Sequence, residues 1–262
     1  MPVYNADRYL AEAIGSILDQ THRSFELIII DDASSDKTRE IIEGFAKHDK
    51  RIRYIRNDER TGIVPSLNQA ISLSRGEYIA RMDSDDVAIA TRLEKQVEYL
   101  EHHKDIALVG SDLTVIDANG KEIGTRIYPK TSAEILSKIL FYNPVAHPAV
   151  MLRKSVLSSV GGYDPAFTFA EDYELWLRIG KRYKFANLQE PLLKYRLHPA
   201  AIKSKSFRKA EINTIRAKMK AMRSYGYTLN LFAAAMLVLQ IIALAIPMRI
   251  KLKLVGRLFY GV

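Results

Sequence analysis

Leu27-Ile28-Ile29-Ile30-Asp31-Asp32-Ala33-Ser34-Ser35-Asp36 carries the strongest structural signal in this 262-residue chain. Leu27 to Ile30 is an unbroken apolar run, and three of its four residues are β-branched. Such a run suits a strand covered on both faces, as in parallel sheets. Asp31 and Asp32 stand at its carboxyl end, where ligands bind in open α/β sheets. Ser34, Ser35 and Asp36 then offer N-caps for a helix reaching about His48. For Ser34 and Ser35 capping alone is the expected role. For Asp32 a ligand contact is expected over a plain turn carboxylate.

A second acidic strand end lies downstream in Arg81-Met82-Asp83-Ser84-Asp85-Asp86, after the apolar Tyr78-Ile79-Ala80. Three carboxylates in four positions repel one another. A divalent cation such as Mg²⁺ would neutralise them, since hard ions prefer oxygen ligands and keep positions open for phosphate. An acidic turn is the plain alternative, with Asp86 capping the next segment.

Around these two points strands and helices alternate. A helical stripe of Tyr9, Leu10, Ala13, Ile14, Ile17 and Leu18 follows the opening Met1-Pro2-Val3-Tyr4-Asn5. Residues 51–56 read as a strand, 64–74 as a helix closed by Gly76, 77–83 as a strand and 92–102 as a helix. This order predicts βαβ units and a mostly parallel sheet. Only Met1 to Val3 precede the first loop, which is short for a central strand. The expectation is a start lying upstream, or a fragment. Further on, 106–116 reads as a long strand, Asp117-Ala118-Asn119-Gly120 as a hairpin turn and 123–127 as its return. Residues 133–141 read as a helix and His147-Pro148-Ala149-Val150-Met151-Leu152 as a strand, with His147 structural.

Five stretches in order resemble family 2 glycosyltransferases of the GT-A fold. They are Pro2-Val3-Tyr4-Asn5, residues 31–36, residues 83–86, Gly161-Gly162-Tyr163-Asp164, and Ala170-Glu171-Asp172-Tyr173-Glu174-Leu175-Trp176-Leu177-Arg178. The resemblance implies transfer of a sugar from a nucleotide sugar with inversion at the anomeric carbon. It implies a Rossmann-like, mostly parallel sheet flanked by helices, and a cofactor of Mg²⁺ or Mn²⁺. It further implies that Pro2, Val3 and Tyr4 line the nucleoside pocket and that Asp32 takes a hydrogen bond from the base. Tyr4 reads equally as a stacking face or as a core aromatic. Asp83 and Ser84 lie by the donor, and Asp85 with Asp83 holds the metal. His198, within Tyr195-Arg196-Leu197-His198-Pro199, resembles a segment closing over the diphosphate, a candidate phosphate or metal contact. Asp172 is the implied base, with Glu171 its lesser partner. Without the other motifs that pair would read as carboxylates favouring a helix N-terminus. Trp176 reads as core. UDP-sugar is the first expected donor, and a glycan or lipid-linked glycan the acceptor, in envelope polysaccharide synthesis.

Charge divides the chain. Residues 201–262 hold twelve Lys or Arg and one Glu, a net +11, so residues 1–200 carry −2 of the total +9. That distribution suits a near-neutral catalytic part and does not suit a nucleic-acid binder. The expected division is a catalytic domain over 1–200, with a nucleotide-binding half over 1–100 and an acceptor half over 101–200. A helical basic and apolar tail follows over 201–262. The apolar run 231–246 is shorter than the ~20 residues of a membrane span. The tail reads either as an amphipathic element on an anionic membrane or as a helix packed on the domain. The soluble core is expected to end near Pro199, with the protein cytoplasmic at the inner face of the membrane. The chain has no Cys, which excludes disulfides and thiol nucleophiles. The rival readings are a nucleotide-sugar-binding protein without catalysis and a nucleotidyltransferase. The latter would want glycines where Tyr4-Asn5-Ala6-Asp7-Arg8 stands.

Overall fold

A computed structural model describes residues 1–198, 204–229 and 231–246. The first unit contains β1 (Pro2–Val3), α1 (Leu10–Leu18), β2 (Leu27–Asp31), α2 (Thr38–His48), β3 (Ile52–Arg56) and α3 (Ile63–Leu73). Its three strands run parallel in the order β1-β2-β3, with Pro2 opposite Ile30 and Leu27 opposite Ile52. Every β2 residue is buried, as an apolar run between helical layers requires. α1 buries Leu10, Ala13, Ile14 and Ile17, the i, i+3, i+4, i+7 stripe.

The second unit contains β4 (Tyr78–Ala80), β5 (Val87–Ala88), α4 (Arg92–His102), β6 (Ile106–Ile116) and β7 (Glu122–Arg126). It continues with α5 (Ser132–Lys138), β8 (Met151–Arg153), α6 (Lys154–Val160), α7 (Glu171–Gly180) and β9 (Lys184–Arg196). Its sheet runs β4-β8-β6-β9-β5, and β7 folds back on β6. The α/β, GT-A arrangement is therefore present, and its parallel pairing is concentrated in the first sheet and in β6 with β9. The pairs β4–β8, β5–β9, β6–β7 and β6–β8 are antiparallel. A cavity of about 220 Å³ lies between β2 and β4, with Met1 in its wall.

Three local expectations change. Residues 147–152 are not one strand: His147–Ala149 forms a 3-10 turn and only Met151–Arg153 pairs. Pro148 has no N–H to give a ladder and holds its φ near the helical value. The 77–83 strand shortens to β4, because the acids beyond it turn away toward β9. The 133–141 helix closes at Lys138, and at its start Thr131 and Glu134 form a capping box.

α8 (Ser204–Lys220) leads through a short π-helical turn, Ala221–Tyr225, to α9 (Leu231–Ala243). Ala217 and Ala221 are fully buried in the core that holds Trp176. Beside them the buried Glu174 accepts hydrogen bonds from Arg178 Nη2 (2.7 Å), Lys220 Nζ (2.8 Å) and Tyr225 Oη (2.7 Å). Lys220 also reaches Asp164 Oδ2 at 2.9 Å. Removing one partner of such a buried group costs about 3–5 kcal/mol, so α8 is held to α7 by more than apolar contact. α9 exposes Leu231, Phe232, Val238, Leu239, Ile241 and Ile242. Among the described residues no helix is long and apolar enough to cross a membrane. The expectations placed on Pro199, Lys203 and residues 247–262 lie outside the described residues.

Candidate active site

The loop after β1 and the loop after β2 are bonded to each other. Asn5 N–H donates to Ser34 Oγ (3.0 Å), Ala6 N–H to Thr38 Oγ1 (2.9 Å) and Asp7 N–H to Asp36 Oδ2 (3.1 Å). In return Ser35 N–H donates to Asn5 Oδ1 at 2.9 Å. Ser34 and Ser35 are thus loop fasteners and not caps of α2; Asp36 instead accepts from Thr38 N–H. Asn5 (φ 48°) and Ala33 (φ 60°) take the left-handed backbone region these turns need. Such strain persists where surrounding bonds over-determine it.

Asp31 turns inward, its Oδ1 accepting from Ser34 N–H and its Oδ2 from the Tyr54 hydroxyl. Asp32 is also buried. Its Oδ1 accepts from Asn57 Nδ2, Thr61 N–H and Thr61 Oγ1; among the described residues its Oδ2 accepts only from Gly62 N–H. Burial works to raise this carboxyl, but those donors outweigh it and hold it below its usual range. The free lone pair is on Oδ2. Val3 is buried and its carbonyl accepts Asp32 N–H at 2.9 Å. Tyr4 is an exposed ring with the Arg60 guanidinium 3.8 Å above its centroid, so it is no core aromatic.

At the end of β4, Arg81 is buried and clasps Asp83 through both terminal nitrogens, each at 2.5 Å. The repulsion expected among the three acids therefore already has an internal countercharge. Ser84 and Asp85 are half-buried, and Asp85 Oδ2 lies 2.8 Å from His198 Nε2. Asp86 does not cap the next segment: it is buried, and its Oδ1 accepts Arg196 N–H at 2.9 Å. Arg196 also donates through Nε to Asp85 O (2.8 Å) and through Nη2 to Glu12 (2.5 Å), and lies over the Tyr9 ring. Arg81, Arg196, Tyr9 and Glu12 are partners the motif reading missed. For Arg81 the signal was there, a single cation beside three acids.

The acids suit a hard divalent ion. Oxygens of Asp83, Asp85 and Asp86 all lie within 4.8 Å of one another, and Asp86 Oδ2 is buried with no hydrogen-bond partner among the described residues. Burial first, and then the charge of Asp83, pushes the Asp85 and Asp86 carboxyls up. An all-oxygen set of this kind fits Mg²⁺ or Mn²⁺.

The other carboxylates open α7. Phe169, at φ 71°, turns the chain so that Glu171 and Asp172 start the helix. Asp172 Oδ2 accepts Asn143 Nδ2 at 2.7 Å. Burial raises its carboxyl despite that bond, the Tyr173 N–H and the charge of Arg81. Arg81 thus acts electrostatically on both Asp83 and Asp172. Glu171 Oε2 is buried without a hydrogen-bond partner among the described residues. Burial and then the charge of Asp172 push Glu171 up to about 7. Gly161-Gly162-Tyr163-Asp164 supports the same floor. Gly161 (φ 89°) ends α6, and a Cβ on Gly162 would stand 2.4 Å from Asn68 Oδ1. That close approach lets Asn68 hold both Tyr163 N–H and Tyr163 O. The Tyr163 hydroxyl then meets the half-buried His147 at 2.8 Å. Burial lowers His147 well below its ordinary range, which keeps it neutral and structural. Trp176 is core.

A sheet of three parallel strands, an acidic loop ending β4 and a Glu-Asp pair opening α7 describe a GT-A glycosyltransferase. The family model for glycosyl transferase family 2 matches residues 1–161. The putative glycosyltransferase EpsE of Bacillus subtilis is 40% identical over 212 residues, covering 79% of this chain and 75% of that one. An Escherichia coli relative, WfgD, is named a UDP-Glc:alpha-D-GlcNAc-diphosphoundecaprenol beta-1,3-glucosyltransferase. It is 31% identical over 210 residues, covering 79% of each chain. The solved structure of S. aureus TarS 1-349 with UDP-GlcNAc superposes with a TM-score of 0.65 at 15% identity, over 91% of this chain and 77% of that one. This chain belongs to glycosyltransferase family 2.

Proposed function

We propose that the protein is an inverting glycosyltransferase moving a sugar from a UDP-sugar to a glycan or lipid-linked glycan in envelope polysaccharide synthesis. The observation that carries this reading is the acidic loop after β4: oxygens of Asp83, Asp85 and Asp86 lie within 4.8 Å of one another, and Arg81 clasps Asp83 through both terminal nitrogens. The UDP donor and the lipid-linked acceptor are supported by the name of the WfgD relative.

In this reading Pro2, Val3 and Tyr4 border the nucleoside, with Arg60 backing the Tyr4 ring. Asp32 offers its remaining Oδ2 lone pair to the base. Asp83 and Asp85, with Asp86 and His198 beside them, would hold Mg²⁺ or Mn²⁺, which when bound neutralises charge on the departing diphosphate. Ser84 lies between them along the donor. Asp172 accepts the proton of the acceptor hydroxyl as that oxygen bonds the anomeric carbon and UDP leaves. A base of raised affinity for protons is suited to this near neutral pH.

The catalytic unit on this reading runs past residue 200, because Glu174, Lys220 and Tyr225 tie α8 to α7. The exposed apolar residues of α9, with the exposed Arg208, Lys209, Arg216 and Arg223, favour a peripheral contact with an anionic inner leaflet. Screening UDP-, GDP- and dTDP-sugars for diphosphate release tests the reading. We expect release from a UDP-sugar that is abolished by Asp172→Asn and by Asp85→Ala. Release surviving both changes overturns it.

A further inference from the structure

Asn143 is the only side chain the described residues place in hydrogen-bond contact with the Asp172 carboxylate, at 2.7 Å from Nδ2 to Oδ2. Its orientation is set from the other end of the amide. Asn143 Oδ1 accepts Val145 N–H at 3.3 Å, an Asx-type turn that leaves Nδ2 facing Asp172.

The loop bearing Asn143 is in turn pinned from beneath. Asn187, buried on β9, donates through Nδ2 to Pro129 O (2.7 Å) and to Pro144 O (3.1 Å). A Cβ on Gly110 of β6 would stand 2.2 Å from Asn187 Oδ1 and 3.1 Å from Val145 Cγ1. Only glycine there lets Asn187 and the 143–145 turn settle together. A chain of contacts therefore runs from the paired strands β6 and β9 to the carboxylate: Gly110, Asn187, Pro144, Asn143, Asp172. Sheet strands are the most rigid support a fold offers to a loop side chain.

We infer that Asn143 is the positioning residue for the Asp172 base, holding one carboxylate oxygen so that the other points to the acceptor hydroxyl. The inference rests on the reading of Asp172 as base. The neutral amide donates to the charged form and so favours it, opposing the burial that disfavours it. The other groups acting on Asp172 are Glu171 beside it, Arg81 from the end of β4, Tyr128 before α5, Tyr163 after α6 and Tyr173 on α7. Of these only Glu171 titrates near neutral pH, so its effect is separable by Glu171→Gln.

The test is the pH profile of UDP release from the UDP-sugar turned over by the unmodified chain, for Asn143→Ala, Asn143→Asp and Asp172→Asn, each also in the Glu171→Gln background. Losing a hydrogen bond to a charged group lowers kcat about tenfold to a hundredfold. In Asn143→Ala we expect that fall, with KM for the donor within about twofold and the acid limb moved up by about one pH unit. Asn143→Asp keeps the shape and the Val145 bond but sets a like charge beside Asp172, so its limb should move further up. Wild-type kcat and profile in both Asn143 variants, with Asp172→Asn inactive, overturn the inference and leave the base reading standing. An equal loss at every pH with an unmoved limb also overturns it, since that marks a purely structural residue. Full release by Asp172→Asn overturns the base reading itself. The carboxyl carbon resonance of Asp172, identified by its absence in Asp172→Asn, supplies the same titration without turnover: an unmoved midpoint in Asn143→Ala overturns the inference.

Discussion

Arg196 N–H donates to Asp86 Oδ1 at 2.9 Å, joining residues 110 positions apart in the chain. Through this bond the end of β9 is laid across the acidic loop that ends β4. The Arg196 side chain then reaches Asp85 O and Glu12, and His198 follows onto Asp85. The acidic loop after β4 is thus shaped by the end of β9, the last strand of the second sheet.

We predict that Arg196→Met loosens this loop. The guanidinium is almost fully buried and its partners are left unpaired, so unfolding free energy should fall by about 1–3 kcal/mol. UDP release should fall more than the stability loss explains. A thermal midpoint within a degree of wild type would refute the side-chain contacts to Asp85 O and Glu12 as a stabilising strap, since the Arg196 N–H bond to Asp86 is kept in this variant.

Metal should be read first as stability. Asp85 and Asp86 have carboxyls raised by burial and by Asp83, so ionising them opposes folding as pH climbs above the ordinary carboxylate range. Mn²⁺ should raise the melting temperature of the wild type at pH 7 and leave Asp85→Ala unmoved. Asp85→Ala should also melt no lower than the metal-free wild type. An equal Mn²⁺ gain in both proteins would sink the assignment.

Glu171 gives a prediction with a definite sign. Its carboxyl is raised from 4.5 to about 7 in the fold, so the folded state holds a proton that the unfolded chain releases. Stability is greatest below the ordinary value and falls as pH rises through about 7, by about 3 kcal/mol in all. Glu171→Gln should therefore stabilise the protein at pH 8 and leave it unchanged at pH 4. Denaturant unfolding at the two pH values measures this; equal effects at both would show that Glu171 is not buried as a neutral acid.

The tail separates into two parts. Removing everything after His198 strips Lys220 and Tyr225 from Glu174 and uncovers Trp176's core, so that chain should fail to fold or melt well below wild type. A chain ending after Thr228 keeps those bonds and should keep UDP release, melting modestly lower because the buried Lys218 loses Gln240 Oε1. Its binding to anionic vesicles should fall sharply, because the apolar face of α9 is gone while Arg208, Lys209, Arg216 and Arg223 remain. Vesicle binding equal to the full chain would show that α9 is not the membrane contact.

The order of elements was readable from residue pattern. A β-branched run bounded by acids predicts β2, a 3.6-residue stripe predicts α1, and strand 106–116 and helix 92–102 match β6 and α4. These features depend on neighbours a few residues away, so local periodicity reports them. The clustering of Asp83, Asp85 and Asp86 was legible for the same reason. The partners were not. Arg81 on Asp83 and Arg196 on Asp86 depend on where two strands meet, and Asn143 on Asp172 depends on a turn braced from β9. Ser34 and Ser35 read as caps because serine before a helix usually caps; only the neighbouring loop turned them toward Asn5. His147 to Leu152 read as one strand until Pro148 met the geometry of its turn. Sequence by itself determined which acidic residues stand together at the strand ends and which segments bury a face. Tertiary structure decided which charges are paired and which carboxyls keep a proton, because burial and contact between distant segments exist only after the chain has packed.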